Sequence, residues 1–167
     1  MSRAEVVATA RAMAAEGLVA GSEGNVSVRE GEVLHITPAL LPYDEMEEGD
    51  LVTLDLDGRV VAGEREPSSE RAVHLAIYSA RPGVLAIVHT HSPAATAHSS
   101  RATGIEGVPT ADYAEPGSGR LGEVVVAALG EREAVLMARH GVVAVGPTLA
   151  EALQVARRVE RLATRAV

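Results

Sequence analysis

The run Ala86-Ile87-Val88-His89-Thr90-His91 ends an apolar, β-branched stretch on a His-x-His pair. Side chains in a strand alternate between faces, so positions i and i+2 project together. His89 and His91 would share one face of a rigid strand, which is a start for a metal site. The pair also fits cross-strand packing on a half-buried sheet. A third histidine, His140, follows a second apolar run, Ala134 to Ala138, and precedes Gly141. Three imidazoles with one position left open are the donor set of a catalytic rather than a structural zinc. The same set also suits cobalt, manganese, nickel or iron. The chain has no cysteine. Thiol chemistry and disulfides are therefore excluded, and any transition-metal site falls to His and carboxylates. His35, His74 and His98 have no comparable partner and read as solvated or hydrogen-bonded surface residues.

Glu70 is the best candidate for a general acid or base. It follows Pro67-Ser68-Ser69 at the start of a helical stretch. A carboxylate there also fits simple compensation of the helix dipole, and the serines fit N-capping. Two hydroxyls beside free backbone N–H groups are equally a ready seat for a phosphate or carboxylate. Gly21-x-x-Gly24-Asn25 lacks both the strand-loop-helix setting of a dinucleotide fingerprint and the lysine of a P-loop. Its glycines allow close backbone approach to a ligand, and Asn25 offers an amide. Thr37-Pro38 reads as a strand exit or as part of the same pocket.

The elements that must position these groups can be read from periodicity and turn signals. Arg3 to Glu16 reads as a helix closed by Gly17. Val26–Arg29 and Val33–Thr37 read as a hairpin turning at Glu30-Gly31, and Pro38–Asp50 as irregular. Leu51–Leu56 and Arg59–Val61 form a second hairpin around Asp57-Gly58. A helix runs from Glu70 to about Ala80, with Val73, Leu75, Ala76 and Ile77 as its apolar positions. The histidine strand follows, then a short helix from Pro93 to about Ala102, a loop from Gly104 to Gly119, and a helix from Arg120 to Leu129. Strands over Ala134–Ala138 and Val142–Val145 come next. Thr148-Leu149-Ala150-Glu151 is a capping box opening the last helix, through about Ala166. Hairpins framed by helices predict an α+β or three-layer α/β/α domain spanning residues 1–167.

Composition narrows the function classes. The 167 residues are 47% hydrophobic and 23% charged, ordinary for one globular domain with a real core. Aromatics make up 2%, with three tyrosines and neither Phe nor Trp, so the core is built from Ala, Val, Leu and Ile. The net charge is -8 and no Lys/Arg run stands out, which argues against a nucleic-acid partner. The N-terminal stretch lacks an apolar signal region, and no segment approaches the ~18 apolar residues of a membrane span. The expectation is a cytoplasmic protein.

Together these blocks resemble the class II aldolase/adducin family, especially its L-fuculose-phosphate aldolases and L-ribulose-phosphate 4-epimerases. The matching blocks are Gly24-Asn25-Val26-Ser27-Val28-Arg29, Ile36-Thr37-Pro38, Pro67-Ser68-Ser69-Glu70, Val88-His89-Thr90-His91 and His140-Gly141. They run in family order over nearly the whole chain. The resemblance implies a three-layer α/β/α sandwich with a central, mainly antiparallel sheet, assembled as a homotetramer with sites at subunit interfaces. It implies that His89, His91 and His140 bind Zn2+ and that Glu70 is the catalytic carboxylate. It also implies that Gly24, Asn25, Ser68 and Ser69 hold the phosphate of a small sugar-phosphate-like substrate. A Glu at position 70 resembles the aldolases, whereas the epimerases usually carry Asp. The implied reaction is retro-aldol cleavage of a sugar phosphate such as L-fuculose 1-phosphate, or of a related hydroxy-carbonyl compound, through a metal-stabilised enediolate.

The chain departs from the family pattern in three places. Ala39 and Leu40 stand where a Thr-Gly or Ser-Gly usually follows Thr-Pro, which removes a hydroxyl from the phosphate site. The stretch between His98 and Pro109 is short, and it is there that the aldolases carry a catalytic tyrosine. In the ungapped placement Ala111-Asp112-Tyr113 falls on a family Ala-Pro-Tyr, so Tyr113 is not that residue; a gapped placement, which loses a histidine, sets Thr110-Ala111-Asp112-Tyr113 on the epimerases' His-Ala-Asp-Tyr instead. The extended C-terminal tail of the family is also absent. Four alternatives therefore stay open beside the aldolase: a 4-epimerase, a methylthioribulose-1-phosphate-type dehydratase, a metal-binding member with impaired catalysis, and a non-catalytic adducin-like domain. The last fits poorly because adducin lacks the three histidines.

Overall fold

The computed structural model describes residues 1–101 and 105–166. The helices are α1 (Arg3–Ala15), α2 (Arg71–Ala80), α3 (Pro93–Ser99), α4 (Gly119–Leu129) and α5 (Leu149–Arg165). The strands are β1 (Asn25–Glu30), β2 (Val33–Ile36), β3 (Val52–Asp55), β4 (Val60–Ala62), β5 (Ala86–Thr90), β6 (Thr110–Ala111), β7 (Ala134–Met137) and β8 (Gly141–Gly146). They form one sheet in the order β4-β3-β2-β1-β5-β8-β7-β6. Every pairing is antiparallel except β6 with β7.

Strand alternation divides the apolar residues into two cores. On one face Val26, Val28, Ala86, Val88 and Ala144 pack with Val6, Ala10 and Met13 of α1 and with Ala152, Ala156 and Val159 of α5. On the other face Leu34, Ile36, Ile87, Val135 and Val143 pack with Val73 and Ile77 of α2 and with Leu121 and Val125 of α4. The result is the expected three-layer α/β/α arrangement. Both cores are aliphatic, as the scarcity of aromatics requires. No helix among the described residues is long and apolar enough to cross a membrane.

The local signals mostly hold, with physical reasons for the exceptions. Thr148 Oγ1 accepts from Glu151 N at 3.2 Å, but Glu151 Oε2 takes the Thr148 hydroxyl at 2.7 Å rather than the backbone N–H. A complete capping box lies on α1, where Ser2 and Glu5 bond reciprocally. The stretch read as a loop after Gly104 contains β6, whose two residues are too few to leave a period in the sequence. On α2 the buried positions are Val73, His74, Ile77 and Tyr78; Leu75 and Ala76 are only half-buried. The expected end of the α3 helix at Ala102 and start of the following loop at Gly104 lie outside the described residues.

Candidate active site

The central strands bring the histidines together. In β5, Ala86 and Val88 point to the α1/α5 face, so Ile87 and His89 point to the α2 face. His91 lies one residue beyond the strand and continues the same side, with its Nε2 3.0 Å from His89 Nε2. β8 runs beside β5 with His89 opposite Val143, which carries the β7–β8 turn and His140 to the same end of the sheet. The three rings stand 4.8, 5.1 and 5.0 Å apart, centroid to centroid, and are mutually steep. Glu70, immediately before α2, enters from above the sheet. Its Oε2 is 2.9 Å from His89 Nε2 and its Oε1 is 3.0 Å from His140 Nε2.

One position makes this convergence possible. A Cβ on Gly141 would collide with the Thr90 carbonyl oxygen and lie 3.1 Å from His91 Cδ2 and 3.2 Å from His89 Cε1. Gly141→Ala is therefore expected to push both rings out of place. It should cost about 1–3 kcal/mol of stability, as overpacking typically does, and weaken metal binding. Denaturant unfolding and a metal titration check this, and wild-type values in both would contradict it.

The donor set fits a divalent metal ion. The four donor atoms of Glu70, His89, His91 and His140 lie within 4.8 Å of one another. His89 Nδ1 donates to the Val142 carbonyl at 2.8 Å, so its lone pair is on Nε2, facing the cluster. Donors about 2.0–2.1 Å from a tetrahedral ion stand about 3.3 Å apart, close to the 3.0 Å between the Nε2 atoms of His89 and His91. Glu70 Oε1 is buried and, among the described residues, meets only His140 Nε2, at 3.0 Å. The electrostatics are those of one tightly coupled group. Burial pushes the Glu70 carboxyl up, but the charges and contacts of His89 and His140 outweigh it and hold the group well below the usual carboxylate range. Burial and the neighbouring His89 and His140 push His91 down to about 3.

A cleft of about 450 Å³ opens above this cluster, and Gly24, Asn25, Ser68, Ser69, Glu70, His91 and His140 all line it. His89 lies beneath them, 1% exposed. Seven of the eight residues singled out in the sequence thus border one cavity, and the eighth is in contact with two of them, Glu70 and His91. Gly24 has φ +69°, and a Cβ there would strike the His89 carbonyl; the Tyr43 hydroxyl donates to the Gly24 carbonyl at 2.7 Å and pins the loop. Ser68 Oγ accepts from Glu70 N at 3.3 Å, an interaction of the capping type. Ser68 N donates to Thr37 O at 3.1 Å, and Ala39 N to Glu66 O at 2.9 Å, so Thr37-Pro38 is tied to the serine loop and borders the same cleft.

Leu40, also on the cleft, has φ +60° and is 89% exposed. Left-handed backbone costs an L-residue about 1–2 kcal/mol, while glycine adopts it freely. This explains why a glycine suits the position. Leu40→Gly is expected to stabilise the protein by up to about 1 kcal/mol after glycine's own entropy cost. A lower denaturation midpoint would contradict the strain.

The three tyrosine hydroxyls are each engaged. Tyr43 bonds Gly24, Tyr78 bonds Ser27 Oγ at 2.8 Å, and Tyr113 donates to Glu115 Oε1 at 3.0 Å while Arg139 stacks 3.9 Å over its ring. Two histidines correct the sequence reading. His74 and His98 are not surface residues but 1% and 3% exposed. His35 is half-buried, bonded to Thr53 Oγ1 at 2.9 Å and Glu30 Oε2 at 3.2 Å. The sequence did carry a signal for His74. Glu70, His74 and Tyr78 recur every four residues, which places them on one stripe of the helix, and that stripe faces Asn25 and Ser27 of β1.

Residues 4–167 match the family model described as Class II Aldolase and Adducin N-terminal domain. The chain is 36% identical to a 5-deoxy-D-ribulose 1-phosphate aldolase of Bacillus thuringiensis serovar kurstaki, covering 95% of this chain and 80% of that protein. It is 37% identical to an L-fuculose phosphate aldolase of Escherichia coli K12, over 95% of this chain and 79% of that protein. Among solved structures, an L-fuculose 1-phosphate aldolase superposes with a TM-score of 0.92 at 32% identity, covering 98% of this chain and 83% of the other.

Proposed function

The chain belongs to the class II aldolase and adducin family, and from that premise we propose that it is a zinc-dependent aldolase cleaving a small ketose 1-phosphate. L-Fuculose 1-phosphate and 5-deoxypentulose 1-phosphates are the substrates that its relatives suggest. The observation that carries this reading is the meeting of three imidazole nitrogens and one carboxylate beside a cleft bordered by glycine, amide and hydroxyl groups. His89, His91 and His140 would hold the ion, with the substrate taking the remaining position. Bound there, the ion supplies Lewis-acid stabilisation of the negative charge that develops on adjacent substrate oxygens as the carbon–carbon bond breaks.

The other steps belong to the protein. Gly24, Asn25, Ser68 and Ser69 offer backbone N–H, amide and hydroxyl donors to the substrate phosphate. Ala39 and Leu40 add no hydroxyl, so these four carry the anion. In cleavage, the hydroxyl proton passes to the Glu70 carboxylate as the carbon–carbon bond breaks, the hydroxyl carbon leaves as an aldehyde, and the electron pair of the broken bond stays with the carbonyl fragment. Glu70 then delivers that proton to the fragment's carbon, and the transfers run backwards in the condensing direction. Asn25 Nδ2 donates to Glu70 Oε2 at 3.0 Å, which leaves Oε1, beside His140 Nε2 at 3.0 Å, to move the proton. The cytoplasm as location and a homotetramer as assembly remain part of this proposal.

Product analysis tests it. Purified protein, zinc-loaded and supplied with ketose 1-phosphates, is expected to release dihydroxyacetone phosphate and an aldehyde, to stop on chelation and to recover with zinc. An inverted pentulose phosphate would point instead to an epimerase, loss of water to a dehydratase, and zinc binding without turnover to an impaired member. Each of these overturns the aldolase reading.

A further inference from the structure

Behind the cleft lies a buried polar chain that the chemistry above does not use. Glu70, His74 and Tyr78 form one stripe of α2 and its N-terminal cap. Asn25 and Ser27 are the facing positions of β1, paired with His89 and Ile87 of β5. Tyr78 Oη lies 2.8 Å from Ser27 Oγ, and Ser27 Oγ lies 2.6 Å from His74 Nδ1. His74 Nε2 bonds Asn25 Oδ1, and Asn25 Nδ2 bonds Glu70 Oε2 at 3.0 Å. His74, Ser27 and Tyr78 are all at most 1% exposed, so water cannot replace a lost partner.

The direction of every proton in this chain follows from its end. With Oε1 as the oxygen that takes and gives the proton, Oε2 only accepts, so Asn25 must present its NH₂ group to Glu70. Its carbonyl oxygen then faces His74, which must donate from Nε2. A neutral imidazole protonated at Nε2 has its lone pair on Nδ1, so Ser27 donates to it and accepts in turn from Tyr78. Burial pushes His74 down to about 3, which keeps it neutral; the hydrogen bonds at its two nitrogens set the tautomer. If His74 donated from Nδ1 instead, Asn25 would be free to turn over, and its carbonyl would meet the carboxylate with like partial charges.

We propose that His74 is a positioning residue: it fixes the amide orientation of Asn25, and Asn25 in turn holds Glu70 Oε2 so that Oε1 is presented to the substrate. The inference rests on Glu70 as the proton-moving group. It assigns His74 no contact with substrate or metal. Its effect therefore falls chiefly on the proton step, reaches substrate affinity only through the Asn25 amide, and leaves metal content untouched.

Two variants separate this from packing. A glutamine side chain reaches the place of Nε2 and can donate to Asn25, whereas an asparagine reaches only the place of Nδ1. His74→Asn is expected to lower kcat by about 10–100-fold, the usual effect of losing an outer hydrogen-bond partner, with bound zinc unchanged and any rise in KM smaller than the fall in kcat. His74→Gln should restore most of that loss. Equal losses in the two variants would overturn the proposal, as would a loss that falls mainly on KM or on zinc content. A second readout needs no substrate. Long-range ¹⁵N–¹H NMR of the zinc-loaded wild type should show His74 as the Nε2–H tautomer, and an Nδ1–H tautomer would overturn the proposal. Should the wild type cleave no ketose phosphate, the aldolase reading fails, and the tautomer alone still decides the orientation of Asn25.

Discussion

His91→Ala is expected to empty the metal site and to lower kcat by about three orders of magnitude, the scale of losing several kcal/mol of charge stabilisation. The choice of ligand matters. His89 is buried, bonded to the Val142 carbonyl and part of β5, so its removal would disturb the sheet as well as the ion. His91 stands beyond the strand end with its side chain 25% exposed, and its loss leaves both cores intact. With two imidazoles and one carboxylate left, zinc affinity should fall steeply while the thermal midpoint of the metal-free protein stays near wild type. Metal-to-protein ratio after gel filtration, with a parallel melt, checks both. An unchanged zinc ratio would contradict the ligand assignment.

Glu70→Gln is expected to retain zinc and lose ~10²–10⁴-fold in kcat, the range of general acid–base groups. The glutamine carbonyl can still accept from Asn25 Nδ2, so the position of the side chain is preserved while its capacity to carry a proton is removed. The result should thus be a fall in kcat with little change in KM. Full activity in this variant would remove Glu70 from the mechanism; simultaneous loss of zinc would make it chiefly a ligand.

What the sequence carried, and what it did not, follows from the range of each interaction. The strand period placed His89 and His91 on one side, and the apolar runs around His140 marked a second central strand. Their meeting depends on β5 and β8 being neighbours, a long-range pairing that family order implied and local pattern did not. Glu70 and the serines were legible as a helix start, and their two readings coexist: Ser68 caps Glu70 N and lines the cleft. His74 and Tyr78 were not legible as buried. Polar residues on a helix ordinarily mark its wet face, and only facing partners on β1 make burial of this stripe tolerable. His98 was missed for the same reason. Leu40 was noted as a departure in side-chain chemistry, whereas its left-handed backbone became visible only in three dimensions. β6 escaped because a two-residue strand is defined by its neighbour and not by its own residues.

The central claim is that the ring nitrogens of His89, His91 and His140 bind one ion together. Anomalous diffraction at the zinc edge, on crystals of the full chain grown with zinc, tests this directly. The account predicts one strong peak about 2.0–2.1 Å from Nε2 of all three histidines, beside the Glu70 carboxylate. A peak held by fewer than all three, or no peak in the cleft at saturating zinc, would contradict it.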